Sequence, residues 1–143
     1  MLGHGMAKWL TAEKLHEGFP LLLRRPATLD VASLRPRFPM LAFVTHTFTK
    51  VTSNGLPEGD YNHGIAELDH ELLTAFDTEA IGVVVLVETY GGERCYYFYV
   101  MANADVAGVI SAVGRRYPHE RLSYSMRPDP SWQFIEGYAR DHF

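Results

Sequence analysis

The chain has 143 residues, 47% of them hydrophobic and 21% charged, with a formal net charge of −4 and a single cysteine. This length fits one globular domain, and the composition excludes a low-complexity or collagen-like chain and any internal disulfide. No Lys or Arg occurs from 51 to 93, where nine acids lie. An acidic middle repels phosphate backbones and attracts basic protein surfaces, which argues against nucleic acid as a partner.

The first 39 residues show little of the hydrophobic periodicity that predicts helices and strands. A short apolar run at 21–23 predicts one strand, and Pro20, Pro26, Pro36 and Pro39 predict loops around it. We therefore expect residues 1–39 to be an N-terminal extension that packs on a domain of residues 40–143.

A strand and a helix follow in the chain. Residues 40–50 are rich in β-branched and aromatic side chains, and the Asn54-Gly55 pair ends this strand in a loop. Asp60 is the predicted N-cap of a helix whose apolar residues recur at helical spacing. These residues are Ile65, Leu68, Leu72 and Phe76.

The second half of the chain begins with a hairpin. The β-branched run at 81–89 and the aromatic run at 93–101 flank Gly91-Gly92, and two glycines suit a tight turn that needs positive φ. A helix capped by Asn103, a strand at 122–126 with alternating polarity and a C-terminal helix in 131–143 complete the prediction.

The order strand, helix, strand, strand, helix, strand predicts an α+β ferredoxin-like βαββαβ sandwich. In that fold four antiparallel strands carry two helices on one face, with strands 40–50 and 94–101 in the centre. Because the strand at 95–101 is apolar on both sides, something must cover the second face of the sheet. The alternatives are the N-terminal extension, the C-terminal helix around Trp132, or a second subunit in a homodimer.

The predicted acidic helix offers two kinds of site. His63, Glu67 and His70 are spaced so that two imidazoles and a carboxylate share one face, but this face points to solvent and lacks a rigid third ligand and an outer shell. The sequence therefore favours a solvated polar face over a metal site. Glu67, Asp69, His70 and Glu71 together predict a contact for a partner protein with a basic surface.

Other candidates are weaker. A ligand pocket on the second face would be lined by His46, Tyr97 and Tyr99. Cys95 lies within a strand, which favours a buried structural thiol.

Four arginines form the densest basic cluster, which either pairs with the acidic helix or makes a separate anion contact. They are Arg24, Arg25, Arg35 and Arg37. No glycine-rich phosphate loop, GxSxG elbow or paired-cysteine zinc motif occurs, so no cofactor is predicted.

Three segments carry a family resemblance: NGLPEGDYNHGIAELDHELLTAF, the hairpin ending in CYYFYV, and RPDPSWQF. Together they make residues 40–138 resemble the bacterial family catalogued as domain of unknown function 695. That family is similar in fold to the bacterial protein regulators of ribonuclease E, small acidic domains that bind the nuclease and lower its activity. The resemblance implies a fold and a regulatory role, and it supplies no catalytic residues.

The function predicted from these features is that of a non-enzymatic module that binds or regulates another protein through the acidic helix surface. The alternative is a small-ligand-binding protein or enzyme with its pocket on the sheet face opposite the helices. The first residues lack the basic start and continuous apolar stretch of a secretory signal, and no 18-residue apolar run occurs, so we expect a cytoplasmic protein without a membrane partner.

Overall fold

A computed structural model of the chain describes residues 8–77 and 80–142, the last three by their backbone alone. Residues 1–7 of the predicted extension and Glu79 of the acidic segment lie outside this range. No helix in the described ranges is long and apolar enough to cross a bilayer. The elements are β1 (Trp9–His16), β2 (Phe19–Pro26), α1 (Val31–Leu34), β3 (Met40–Thr47), α2 (Gly59–Gly64), α3 (Ala66–Thr74), β4 (Gly82–Tyr90), β5 (Glu93–Val100), α4 (Val106–Arg116), β6 (Arg121–Pro128) and α5 (Gln133–His142).

The predicted four-stranded ferredoxin-like sandwich is wrong. The strands form one six-stranded antiparallel sheet in the order β1-β2-β4-β5-β3-β6, and the described residues form five helices, whereas the prediction was two helices on one face and a C-terminal helix. The middle of this sheet is the β4–β5 pair, whereas the prediction placed strands 40–50 and 94–101 there. The error arises in the first 39 residues, whose strands extend the sheet beyond β4.

The N-terminal segment forms a hairpin and the short helix α1, where the sequence predicted one strand. β1 and β2 pair along their whole length, from Trp9 with Pro26 to His16 with Phe19. β1 was missed because its charged side chains break the apolar alternation, whereas the strand predicted at 21–23 is the middle of β2, whose prolines suggested loops on either side. Pro20 and Pro26 instead lie near the two ends of β2, where proline is tolerated.

Helices cover both faces of the sheet. On the first face, α3 and α4 bury Leu68, Leu72, Ile110 and Val113 against Val44 and neighbouring strand residues. On the second face, residues from α1 and α5 pack in a separate core on Leu41, Val85, Leu86 and Tyr99. The chain thus covers its second face with two of the elements that the sequence had offered for that role, the N-terminal segment and the C-terminal helix.

Of the predicted local features, the glycine turn is confirmed and the helix boundaries are corrected. The hairpin at Gly91-Gly92 is confirmed, with φ of 61° and 85° at the two glycines. The predicted acidic helix is two helices, α2 and α3, which meet at Ile65. The N-caps are Glu58 and Asp105 rather than Asp60 and Asn103.

Candidate functional site

A cleft of about 430 Å³ opens on the second face between the end of β2, α1 and α5. We call it the second-face cleft. Its size falls within the range of small-molecule pockets. Its lining residues are Arg25, Pro26, Ala27, Leu29, Val31, Arg35, Val85, Trp132, Ile135, Glu136 and Ala139.

The floor of the cleft is a β-bulge in β4. The register between β4 and β5 shifts between Val84 and Leu86, so Val85 is an extra residue on the β4 side. A bulge bends its strand and redirects side chains. As a result Val85 and Leu86 both join the core of the second face, and Val85 also forms part of the cleft wall.

Trp132 lines the second-face cleft and has an unusual backbone conformation. Its φ is 57°, in the left-handed region that a bulky side chain rarely adopts, and the residue is 1% exposed. The indole stacks on Tyr99 at 4.2 Å between ring centroids, and its Nε1 donates to the carbonyl oxygen of Phe38 at 2.8 Å. These contacts hold the ring against the sheet.

Asp129 fixes the start of α5 beside Trp132. Its carboxylate accepts from the backbone N–H groups of Gln133 and Phe134, each at 3.0 Å, and from the Tyr99 hydroxyl at 2.6 Å. Burial alone would raise the pKa of Asp129, but these three hydrogen bonds outweigh it and hold the pKa below its usual value. An ionised Asp129 therefore anchors α5 at neutral pH.

Among the described residues, two arginines and one acid supply the charge that lines the second-face cleft. Arg25 comes from β2 and Arg35 directly follows α1, while the exposed Glu136 comes from α5. Arg35 donates through Nη1 to the carbonyl oxygen of Ser131 at 3.5 Å. The cleft thus combines a mainly apolar lining with two cationic side chains.

The predicted pocket residues do not come together. Tyr97 and Tyr99 lie on the second face, but their hydroxyls donate to Glu88 and Asp129. His46 lies on the first face, where its Nε2 is 2.7 Å from Oε1 of Glu120. His46 is therefore on the opposite face of the sheet from Tyr97 and Tyr99.

Cys95 lies half-buried on β5, with Sγ 3.7 Å from Oγ1 of Thr45. Burial raises the pKa of its thiol, although hydrogen bonding with Tyr97 and Thr45 opposes the shift. A thiol with a raised pKa is a poor nucleophile at neutral pH, which agrees with the structural role predicted for Cys95 from the sequence.

Two of the four predicted contact residues on α3 are engaged inside the molecule. Asp69 accepts from both terminal nitrogens of Arg24, at 3.1 and 2.8 Å, and from the Tyr96 hydroxyl. Glu71 accepts from Nε of Arg116 at 2.6 Å. The pairing of Arg24 with the acidic helix is therefore confirmed for Asp69.

Glu67 and His70 remain exposed, as does His63 on α2. Within the described ranges, no three His, Cys, Asp or Glu side chains come together in a way that would hold a metal ion. The break at Ile65 puts His63 on a different helix from Glu67 and His70, so the single helical face assumed for this trio is interrupted.

Comparison with known proteins gives one match. Residues 7–138 match the family of unknown function DUF695. The chain belongs to this family. No curated protein matches it, and no solved structure does. The similarity to regulators of ribonuclease E stays a prediction. The match covers all six strands of this DUF695 member and the start of α5, so residues on both faces belong to the family region.

Sequence reasoning singled out Arg25 and Arg35 of this DUF695 member only as part of a basic cluster. Side chains alternate along a strand, so Arg24 and Arg25 point to opposite faces of the sheet once β2 is known. If the full length of β2 had been predicted, Arg24 and Arg25 would have been assigned to opposite faces of the sheet. The irregular backbone at Val85 and Trp132 has no signal in the sequence.

Proposed function

We propose that this protein binds a small carboxylic acid with an apolar body in the second-face cleft. The observation that carries this proposal is the placement of Arg25 and Arg35 on a cleft whose other residues are mainly apolar. Such a lining removes hydrocarbon from water, and guanidinium groups pair with a carboxylate through charge-assisted hydrogen bonds.

Backbone geometry supports the same cleft. The bulge at Val85 and the left-handed Trp132 both lie on its lining. Bulges concentrate beside functional sites, and a bulky residue at positive φ costs on the order of 1–3 kcal/mol, which the surrounding contacts must offset. Two such irregularities on one cleft favour a ligand site over an incidental gap between helices.

Tryptophan fluorescence tests this proposal directly. The chain has two tryptophans, so a Trp9→Phe variant leaves Trp132 in the cleft wall as the reporter. We expect octanoate to change its emission in a saturable manner and octanol, which lacks the charge, to bind much more weakly. Failure of octanoate to give a saturable change would exclude the proposal.

Variants identify the role of the arginines. Arg35→Met should weaken octanoate binding about tenfold or more, because a charge-assisted hydrogen bond contributes about 1.5–3 kcal/mol. Arg121→Met, at an exposed position of β6, is the matched control and should leave binding unchanged. Equal affinities of the two variants would contradict a carboxylate contact in the cleft.

A second candidate function is the docking of a basic protein surface on the outer side of α3. The observation that favours it is the exposure of Glu67 and His70 in a chain segment without Lys or Arg from 51 to 93. Affinity capture with wild-type and Glu67→Lys baits tests this role, and Glu58→Lys provides the same change of charge away from α3. Identical sets of captured proteins from all three baits would rule it out.

A further inference from the structure

A second cleft lies on the first face of the sheet, between the β1–β2 hairpin and helices α2 and α3. Its volume is about 480 Å³, and we call it the helix-side cleft. Polar side chains converge there with a few small and aliphatic ones. The lining residues are Thr11, Ala12, Glu13, Leu22, Leu23, Arg24, Asn62, Ala66, Asp69, Thr89 and Arg94.

Asp69 is the acid at the inner, more buried end of this cleft, and three residues already donate to it. Arg24 binds both of its oxygens, while the Tyr96 hydroxyl and Nη1 of Arg94, at 3.4 Å, bind Oδ1. Burial alone would raise the pKa of Asp69, but the hydrogen bonds and charge of Arg24, followed by the contact with Tyr96, lower it. Asp69 is therefore a carboxylate at neutral pH that already serves three donor residues.

Arg94 is the most enclosed cation of the cleft, at 9% exposure. Its Nε donates to Oγ1 of Thr89 at 2.8 Å, and its guanidinium lies over the Phe48 ring at 5.3 Å. Its contact with Asp69 is long, at 3.4 Å, and Asp69 is held more closely by Arg24, at 2.8 Å. Two guanidinium groups thus share one carboxylate at the inner end, and enclosing a cation without a full counter-charge is costly.

The other nearby acids do not complete this charge balance. Glu13 lies on the exposed strand β1 at the mouth of the cleft, where water screens it. Glu120 is engaged by His46 and by the Tyr61 hydroxyl. Glu120 does not line the cleft, so the described residues at its inner end supply two guanidinium groups and one carboxylate, in a chain whose net charge is −4.

We propose that the inner end of the helix-side cleft binds a small oxyanion, a phosphate or carboxylate group, through Arg24 and Arg94. Guanidinium groups match both anions in geometry, and a second anion would give each arginine a carboxylate-like partner. Thr89 and Asn62 line the same cleft and add neutral hydrogen-bonding groups.

This site is separate from the second-face cleft in position. Arg24 and Arg25 are neighbours on β2, but each lines a cleft on its own face of the sheet. The two clefts have no lining residue in common. Substitutions at Arg24 or Arg94 therefore test this site without touching the arginines that would hold a fatty carboxylate.

Inorganic phosphate is the first probe, with malonate as the carboxylate arm and sodium chloride to keep the ionic strength equal. We expect saturable binding by calorimetry and a rise in melting temperature that exceeds the effect of chloride, as for any ligand of the folded state. Preference for phosphate or for malonate identifies the class of ligand. A wild-type protein that shows neither saturable binding nor an anion-specific rise would overturn the proposal.

Three variants sharpen this test. Arg94→Met should weaken anion binding about tenfold or more, and the more exposed Arg24→Gln should do the same if the loss of Arg94 prevents folding. Asp69→Asn should bind the anion more tightly than the wild type, because it removes the competing carboxylate. Glu71→Gln, which removes the acid of the neighbouring pair with Arg116, is the matched control and should change nothing. Tighter binding by Glu71→Gln, or no gain in Asp69→Asn, would contradict the site.

Discussion

The indole of Trp132 and the phenol ring of Tyr99 are stacked, with planes 8° apart and centroids 4.2 Å apart. The Tyr99 hydroxyl in turn donates to Asp129, the residue that caps α5. One aromatic pair therefore joins the centre of the sheet to the helix that covers its second face. The stability of this face should depend on Trp132 and Asp129 more than on any exposed part of α5.

Trp132→Ala should lower the free energy of unfolding by about 3–5 kcal/mol, the usual effect of removing a large aromatic side chain from a core. The reason is the loss of the stack on Tyr99 and of the hydrogen bond to Phe38. Urea denaturation measures the change. Trp9→Ala is the control, because Trp9 is only partly buried at the edge of the sheet and should cost clearly less. Equal losses would show that the second face is not organised around Trp132.

Asp129→Asn should lower the stability by about 1–3 kcal/mol at neutral pH, because it weakens three hydrogen bonds to a buried acceptor. The pKa of Asp129 is lowered in the folded protein, so its contribution is present above the unfolded value of about 3.9 and is lost as the pH falls through the folded value. The difference between wild type and variant should therefore shrink on acidification below about pH 4.

The control for this prediction is Asp105→Asn at the N-cap of α4. Asp105 accepts from the backbone N–H of Gly108 at 3.0 Å, and asparagine caps helices about as well as aspartate. Chemical denaturation over a range of pH should find this variant close to the wild type. A difference between wild type and Asp129→Asn that stays constant down to the lowest pH would contradict the role of the ionised carboxylate.

Acidification should also destabilise the protein through His46. Burial lowers the pKa of this imidazole, and Arg94 lowers it further, against the opposing effects of Glu120 and Asp69. A lowered pKa means that the unfolded chain takes up the proton first. Stability should therefore be highest where both states are neutral and should fall as the pH drops below the unfolded value of about 6.5.

His46→Gln should remove this part of the pH dependence, and His119→Gln, at an exposed position, should keep it. The measurement is the free energy of unfolding of the three proteins between neutral pH and mildly acidic pH. If the wild type became more stable than His46→Gln on acidification, an ion pair between His46 and Glu120 would dominate over burial.

Gly82→Ala should lower the stability by about 1–3 kcal/mol through overpacking. A Cβ at this position would lie 2.6 Å from Cγ1 of Val100 and 2.9 Å from the backbone oxygen of Tyr99, and the backbone cannot move aside. Gly114→Ala in α4 is the matched control, since nothing lies within 4 Å of its added Cβ, and it should be neutral or stabilising. Thermal unfolding distinguishes the two, and a stabilised Gly82→Ala would refute the close packing of β4 on β5.

The elements after Met40 were predictable because their signals are local. Period-two alternation, the stripe from Ile65 to Phe76 and the paired glycines at 91 and 92 depend on near neighbours in the chain. The N-terminal hairpin was not predictable in the same way, because β1 is an edge strand with a polar pattern and becomes a strand by pairing with β2. Its two strands changed the fold from the predicted four-stranded sheet to a six-stranded one.

The candidate sites also divide into features that the sequence shows locally and features that depend on tertiary contacts. The sequence by itself determined which charged and aromatic side chains were present, the acidic segment from 51 to 93, and the membership in DUF695 that its motifs indicated. Only the tertiary structure decided their partners. It turned Asp69 inward to Arg24 and Arg94, separated His46 from Tyr97 and Tyr99, and placed Arg25 and Arg35 on one cleft. The physical reason is that charge pairs and clefts form between residues far apart in the chain, whose relative positions follow from strand order and helix packing.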